Sequence, residues 1–226
     1  MFNIIKRFFD MVLAALILII LLPILIPIFL LLRFTAEGAV FYFQKRVGYK
    51  NKAFYIWKFA TMLKNSPNIG AGTITLRNDP RVTPIGKYLR ITKLNELPQI
   101  INVLKGDMSI VGPRPLDDRA FNAYPAVIQS VIYNVKPGIT GIGSIVFRDE
   151  EKLISACNLP PREAYEQIIA PYKGALELWY QEHFSFYTDV LIIFLTAWAI
   201  VFPQSELHFK VFKDLPARPA ILQVTA

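Results

Sequence analysis

From Met11 to Leu32 the chain carries no charge: MVLAALILIILLPILIPIFLLL. An apolar stretch of about 22 residues is roughly 33 Å long as a helix, enough to cross a hydrocarbon core of about 30 Å. That length marks the segment as a membrane element. A secretory leader has a shorter apolar core and a small-residue cleavage site; this run ends Leu30-Leu31-Leu32-Arg33, which predicts a retained anchor. Pro23 sits in the middle of the run and Pro27 one turn later. Each removes a backbone donor and crowds the preceding turn, so a kink is expected near Leu22. Lys6 and Arg7 precede the run, and Arg33, Lys45, Arg46, Lys50 and Lys52 follow it. The preference of cytoplasmic flanks for basic residues therefore draws both ends to one side. A helix-break-helix hairpin satisfies both ends, whereas a kinked single span is the commoner fate of such segments. The residues alone leave the two equally open.

With 226 residues, 54% of them hydrophobic, the chain has material for one domain with a real core plus a membrane element, not for two independent domains. The excess of 25 Lys and Arg over 17 Asp and Glu, a net charge of +8, favours anionic partners. Charge alone does not choose among lipid headgroups, nucleotides and nucleic acid. One cysteine, Cys157, excludes an internal disulfide framework and a cysteine-based metal cluster. His183 and His208 lack ligand spacing and read as structural. A second apolar run, Val190 to Phe202, is too short to cross a bilayer and follows several aromatic residues. It reads as a helix packed on the domain or lying on the bilayer surface, or as a buried core helix.

Between the two runs, Val40–Gln44 and Phe54–Phe59 read as short strands by their β-branched and aromatic content, with Lys50-Asn51-Lys52 as the turn. Residues 65–72 read as a loop without the spacing of a phosphate-cradling Walker sequence. Leu97–Leu104 reads as a helix closed by Lys105-Gly106. Val111-Gly-Pro-Arg-Pro115 cannot continue a helix. Just before the predicted helix stands Asn95-Glu96. Taken as an N-cap, Asn95 would place Glu96, Leu97 and Pro98 in the first turn, which accounts for all four residues without any catalysis. Arg90, Arg114 and Arg148 stand beside these turns. Guanidinium groups on stiff loops suit bidentate phosphate recognition. Taken singly, each reads more readily as a solvated surface residue.

The succession KRFFD at 6–10, the proline-broken apolar run, QKRVG at 44–48, KFATM at 58–62, DPR at 79–81, NELPQ at 95–99, NVLKGDMSIVGPRP at 102–115 and KPGITG at 136–141 resembles the bacterial sugar transferases, monotopic phosphoglycosyl transferases that begin glycoconjugate assembly. The resemblance covers nearly the whole chain in order. It implies an α+β, mainly helical fold with a re-entrant membrane helix broken at Pro23 (residues 1–33), and a catalytic domain with amphipathic surface helices (residues 34–226) on the cytoplasmic face of the bacterial inner membrane. It also implies transfer of a sugar 1-phosphate from a UDP-sugar to polyprenyl phosphate with loss of UMP, assisted by Mg2+. The implied partners are the two substrates and the bilayer, with no nucleic acid. A homodimer through the membrane-proximal face is compatible with the apolar ends, though no residue specifies it. By motif position, Arg90, Arg114 and Arg148 bind phosphate, Asp107 and Lys58 support the site, and Glu96 is both catalytic residue and metal ligand.

Two departures stand out. Where the family pattern has Asp-Glu, this chain has Asn95-Glu96, and an amide is neither a competent nucleophile nor a strong magnesium ligand. After KPGITG, the usual Trp-Ala-Gln is replaced by Ile142-Gly143-Ser144. Three readings follow. Glu96 takes the nucleophilic role, or activates the acceptor phosphate, with Asn95 positioning substrate. Alternatively, Asn95 stands for Asp in an enzyme that then binds substrate without turnover. Finally, the chain is a catalytically impaired nucleotide-sugar-binding or scaffold membrane protein.

Overall fold

The computed structural model describes residues 2–35, 38–66, 79–155, 157 and 159–223; the expected loop at 65–72 lies outside them beyond Ser66. The apolar run folds as one helix, α1 (Phe2–Thr35), with Pro23 and Pro27 inside it. The break expected at Pro23 therefore does not separate two helices: each proline removes one donor while the neighbouring rungs of the hydrogen-bond ladder remain. Ala14, Leu18, Leu21, Leu25, Ile28 and Leu32 recur in alternating steps of four and three residues, and none is exposed. That spacing keeps one stripe of the helix against the protein. Pro23 and Pro27 lie on the opposite face, exposed with Ile19, Ile20 and Ile26.

The strands expected at Val40–Gln44 and Phe54–Phe59 form β1 (Phe41–Val47) and β2 (Ala53–Phe59), paired as a two-stranded sheet. A single turn of 3-10 helix at Tyr49–Asn51 connects them. The contacts divide the chain into two compact units. One holds Phe8–Lys45 and Tyr55–Lys105, the other Met1–Arg7, Arg46–Phe54 and Gly106–Ala226.

In the first unit, Ile28, Leu32, Val40, Phe59 and Leu89 form the core, with Phe41 stacked on Phe59 at 5.7 Å between ring centres. Helix α2 (Pro84–Ile91) starts with Thr83 as a true N-cap, accepting from the Gly86 N–H at 3.0 Å, and with proline in its first turn. A Cβ on Gly86 would lie 2.1 Å from the Thr61 carbonyl oxygen, so glycine lets α2 approach that backbone. Beyond α2, Lys93 takes the left-handed conformation (φ 61°) and turns the chain into a short 3-10 turn, Leu94–Glu96. Helix α3 (Gln99–Lys105) follows, starting two residues later than the sequence predicts and ending at left-handed Gly106 (φ 91°).

The second unit is built on a parallel pair that the sequence does not announce: β3 (Ser109–Val111) beside β4 (Gly138–Thr140), with Ser109 opposite Gly138 and Val111 opposite Thr140. Backbone contact explains the glycines of GPRP and KPGITG. A Cβ on Gly112 would lie 2.3 Å from the Lys136 carbonyl oxygen, and one on Gly138 would lie 2.1 Å from the Gly112 nitrogen. Around this pair stand α4 (Asp118–Asn122), α5 (Ala126–Val131), α6 (Ile142–Val146), α7 (Glu150–Ser155) and α8 (Pro161–Ala164). A π-helical turn at Tyr165–Ile169 leads into α9 (Ala170–Glu182), and α10 (Phe186–Val201), α11 (Leu207–Val211) and α12 (Ala220–Gln223) complete the chain. Leu176 and Tyr180 of α9 are fully buried. Helix α10, the second apolar run, buries Asp189, Ile192 and Leu195 while Tyr187, Phe194 and Val201 stay exposed. It thus packs by one face and leaves an apolar outer face. Its Asp189 pairs with buried Lys6 of the KRFFD sequence and accepts from the Tyr180 hydroxyl at 2.7 Å.

Candidate active site

Lys58 and Glu96, 38 residues apart, are brought together: Lys58 Nζ donates to Glu96 Oε1 at 3.1 Å, with the side chains 16% and 29% exposed. Both positions have a structural cause. Lys58 rides on β2, which Asn102 of α3 pins from the side. The Asn102 carbonyl accepts from the Trp57 N–H at 2.9 Å, and its amide donates to the Tyr55 carbonyl at 2.8 Å, so one completely buried side chain imitates a neighbouring strand. Glu96 ends the 3-10 turn set by the Lys93 reversal.

Asn95 is not a helix cap. A cap accepts from the N–H groups two or three residues on. Here the Leu97 N–H already donates to the Leu94 carbonyl at 3.2 Å, and Pro98 has none to give. The Asn95 Oδ1 is buried and meets no donor among the described residues. An orphaned buried acceptor costs about 1–3 kcal/mol, so its retention beside Glu96 calls for a ligand or a water to complete it.

Arg90, in the last turn of α2, is half-buried and donates from Nε to Thr61 Oγ1 at 2.8 Å. Burial lowers its pKa, the Asp79 carboxylate opposes that shift, and Arg81 adds to it. Asp79 and Arg81 of the DPR sequence form a buried fork, Nε to Oδ1 at 2.9 Å and Nη2 to Oδ2 at 2.6 Å, and Arg81 also donates to the Ser66 carbonyl at 2.8 Å. That pair braces the approach to α2.

The other expected site residues belong to the second unit. Arg114 and Arg148 are both exposed, on the GPRP turn and just after α6. The Arg114 carbonyl accepts from the Tyr133 hydroxyl at 2.9 Å, and the same hydroxyl accepts from the Leu116 N–H at 2.9 Å. Asp107 is half-buried beside Gly106, against whose α-carbon the Arg7 guanidinium packs, 3.2 Å from where a Cβ would stand. Pro23 lies exposed on α1. Sequence reasoning missed Asn102 and Thr61. For Asn102 the signal was available: a single amide among Ile100, Ile101, Val103 and Leu104.

Among the described residues, no three His, Cys, Asp or Glu side chains are grouped to hold a metal. Magnesium does not need such a cage, because it keeps several waters and binds through one or two carboxylates plus substrate phosphate. Glu96 supplies the one carboxylate that such a site requires.

The family profile of the bacterial sugar transferases matches residues 1–203. The UDP-glucose:undecaprenyl-phosphate glucose-1-phosphate transferase of Escherichia coli (strain K12) is 39% identical over 197 residues, 86% of this chain and 39% of that protein. The exopolysaccharide production protein ExoY of Rhizobium meliloti (strain 1021) is 30% identical over 210 residues, 86% of this chain and 84% of ExoY. The undecaprenyl-phosphate galactose phosphotransferase of Salmonella typhimurium is 32% identical over 207 residues, 85% of this chain and 39% of that protein. The chain thus spans about two fifths of the length of the first and third of these relatives.

Proposed function

The chain belongs to the bacterial sugar transferase family, and from that premise we propose that it moves a sugar 1-phosphate from a UDP-sugar to polyprenyl phosphate, with Glu96 as the nucleophile. The observation that carries this reading is the Lys58–Glu96 pair on a turn whose neighbouring Asn95 oxygen is buried without a donor. A carboxylate oxygen of Glu96 attacks the β-phosphorus of the UDP-sugar. The bond from that phosphorus to the bridging oxygen breaks, and UMP leaves with the electron pair. A phosphate oxygen of the polyprenyl phosphate then attacks the same phosphorus and the carboxylate is released, so no redox partner or added proton is needed. The Lys58 ammonium offsets charge where an anion meets a diphosphate, which a carboxylate nucleophile requires. Glu96, with the Asn95 amide oxygen as a weaker neighbour, would hold magnesium, which would supply charge stabilisation to the diphosphate. Arg90, Arg114 and Arg148 are assigned phosphate contacts by motif position, supported by the firm backbone seating of Arg114 and the Thr61 tether of Arg90. Asp107 is assigned a supporting role on the same ground.

The acceptor's apolar tail is matched by a cavity of about 200 Å3 in the first unit, lined by Leu18, Leu22 and Phe29 of α1, Phe41 of β1, and Pro98 and Ile101 just beyond Glu96. Its lining carries no polar surface. Helix α1 is long and apolar enough to enter a bilayer, with a mean hydropathy of 3.3 in its most apolar window. By family resemblance, α1 is assigned a re-entrant path with both ends on the cytoplasmic face of the inner membrane, its helix running unbroken through Pro23 and Pro27.

The test is UMP release by purified protein in nanodiscs with Mg2+, polyprenyl phosphate and a panel of UDP-sugars. Release by the parent chain, its loss in Glu96→Ala, and release by Asn95→Asp at or above the parent level are expected. No release by the parent on any donor, together with robust release by Asn95→Asp, would sink the assignment to Glu96.

A further inference from the structure

Glu177 of α9 is a carboxylate that the proposed reaction does not use, and its surroundings are unusual. The residue is 3% exposed. Its carboxylate accepts from the Arg114 N–H, while Oε2 has no hydrogen-bond partner among the described residues. Oε1 occupies the space over Gly143, where an added Cβ would come within 2.4 Å of it. Alanine in the place of Gly143 would meet the carboxylate and require it to shift. The Arg114 backbone is therefore held on both sides, its N–H by Glu177 and its carbonyl by the Tyr133 hydroxyl. Pro113 and Pro115 stiffen the turn between them. The Arg114 side chain alone is left exposed.

We propose that Glu177 is a positioning residue for Arg114: its buried carboxylate, seated in the space kept open by Gly143, fixes the GPRP turn so that the Arg114 guanidinium is preorganised for the diphosphate of the donor. The inference rests on the proposed function, since it names what orients one of that reaction's phosphate-binding groups. A guanidinium whose backbone is already fixed loses less freedom on binding, and the gain appears as ligand affinity. Lys173, one turn before Glu177 on α9, is the nearest buried cation, but it is engaged by Glu150 of α7 at 2.6 Å.

The experiment is calorimetric titration of the full chain in nanodiscs with UDP and Mg2+, with the melting temperature of each variant recorded. Glu177→Ala is expected to weaken UDP binding about tenfold, the size of a lost hydrogen bond to a charged group. Glu177→Gln, whose amide oxygen still accepts from Arg114, is expected to stay within about twofold of the parent. Gly143→Ala, which displaces the carboxylate, should lose affinity as Glu177→Ala does, and the double variant should be no worse than either single one. In an Arg114→Ala background, Glu177→Ala should have no further effect. Unchanged UDP affinity in Glu177→Ala, or a loss that persists undiminished in the Arg114→Ala background, overturns the inference alone. Absence of UDP binding by the parent chain overturns the functional reading and the inference with it.

Discussion

At Asn95 an amide stands where the family pattern has a carboxylate, and the local geometry shows what the exchange leaves behind. The 3-10 turn uses the Leu97 N–H internally and Pro98 offers none, so the amide oxygen is left facing no donor. A helix-cap reading drawn from NELP fails for that reason alone: sequence shows that a cap residue is present, but not whether the next two amides are free. Glu177 shows the converse. Nothing in its sequence setting marks it, yet burial pushes its pKa up to about 7 from an ordinary 4.5, with Lys173 and the Arg114 N–H pulling the other way. Between those values the folded chain holds a proton that the unfolded chain has released, so stability falls as pH rises from about 4.5 to about 7. The groups around it are Lys173 on its own helix, Glu150 of α7, and Tyr124 and Tyr133, whose hydroxyl pKa values burial raises. Thermal unfolding across that range should show the decline in the parent and a flatter profile in Glu177→Gln. An identical pH profile in the two would show that Glu177 does not titrate in the folded chain.

The elements divide into those whose cause lies in neighbouring residues and those whose cause lies across the fold. The helical, apolar character of α1 (though not its unbroken passage through Pro23), the β1–β2 pair with its turn and the end of α3 at Gly106 could be read directly, because apolar runs and turn residues act over a few positions. The β3–β4 pair could not. Each strand is three residues long, and what joins them is backbone contact at Gly112 and Gly138, with no alternating side-chain pattern to betray it. Likewise the meeting of Lys58 with Glu96 depends on Asn102 holding β2 to α3, a contact 45 residues apart in sequence. The family sequence KRFFD gains a structural meaning of the same long-range kind, since Lys6 is the buried partner of Asp189 on α10. Removing one member of a buried pair strands the other charge. Lys6→Met or Asp189→Leu alone is therefore expected to cost about 3–5 kcal/mol, and the double substitution to restore most of it. Chemical denaturation in detergent, compared among the four proteins, tests this; equal losses in the single and double variants would contradict it.

For the whole molecule, α1 is long and apolar enough to cross a membrane, and its proposed path is testable. The proposed re-entrant placement puts both ends of this continuous helix on one side. In a Cys157→Ser background, Ile5→Cys and Phe34→Cys place single thiols at exposed positions near the two ends of α1. In sealed vesicles both should react with an impermeant maleimide from the same side, whereas labelling from opposite sides would make α1 a single span. The relatives' names and the match over residues 1–203 establish the family, but the first step of the chemistry rests on one side chain. That step is tested most directly by mass spectrometry of the parent protein after incubation with Mg2+ and a turned-over UDP-sugar in the absence of polyprenyl phosphate. The account predicts release of UMP and a phosphosugar adduct on the peptide containing Glu96, absent in Glu96→Ala. An adduct mapped to another residue, or UMP release that occurs only when the acceptor is present, would contradict it.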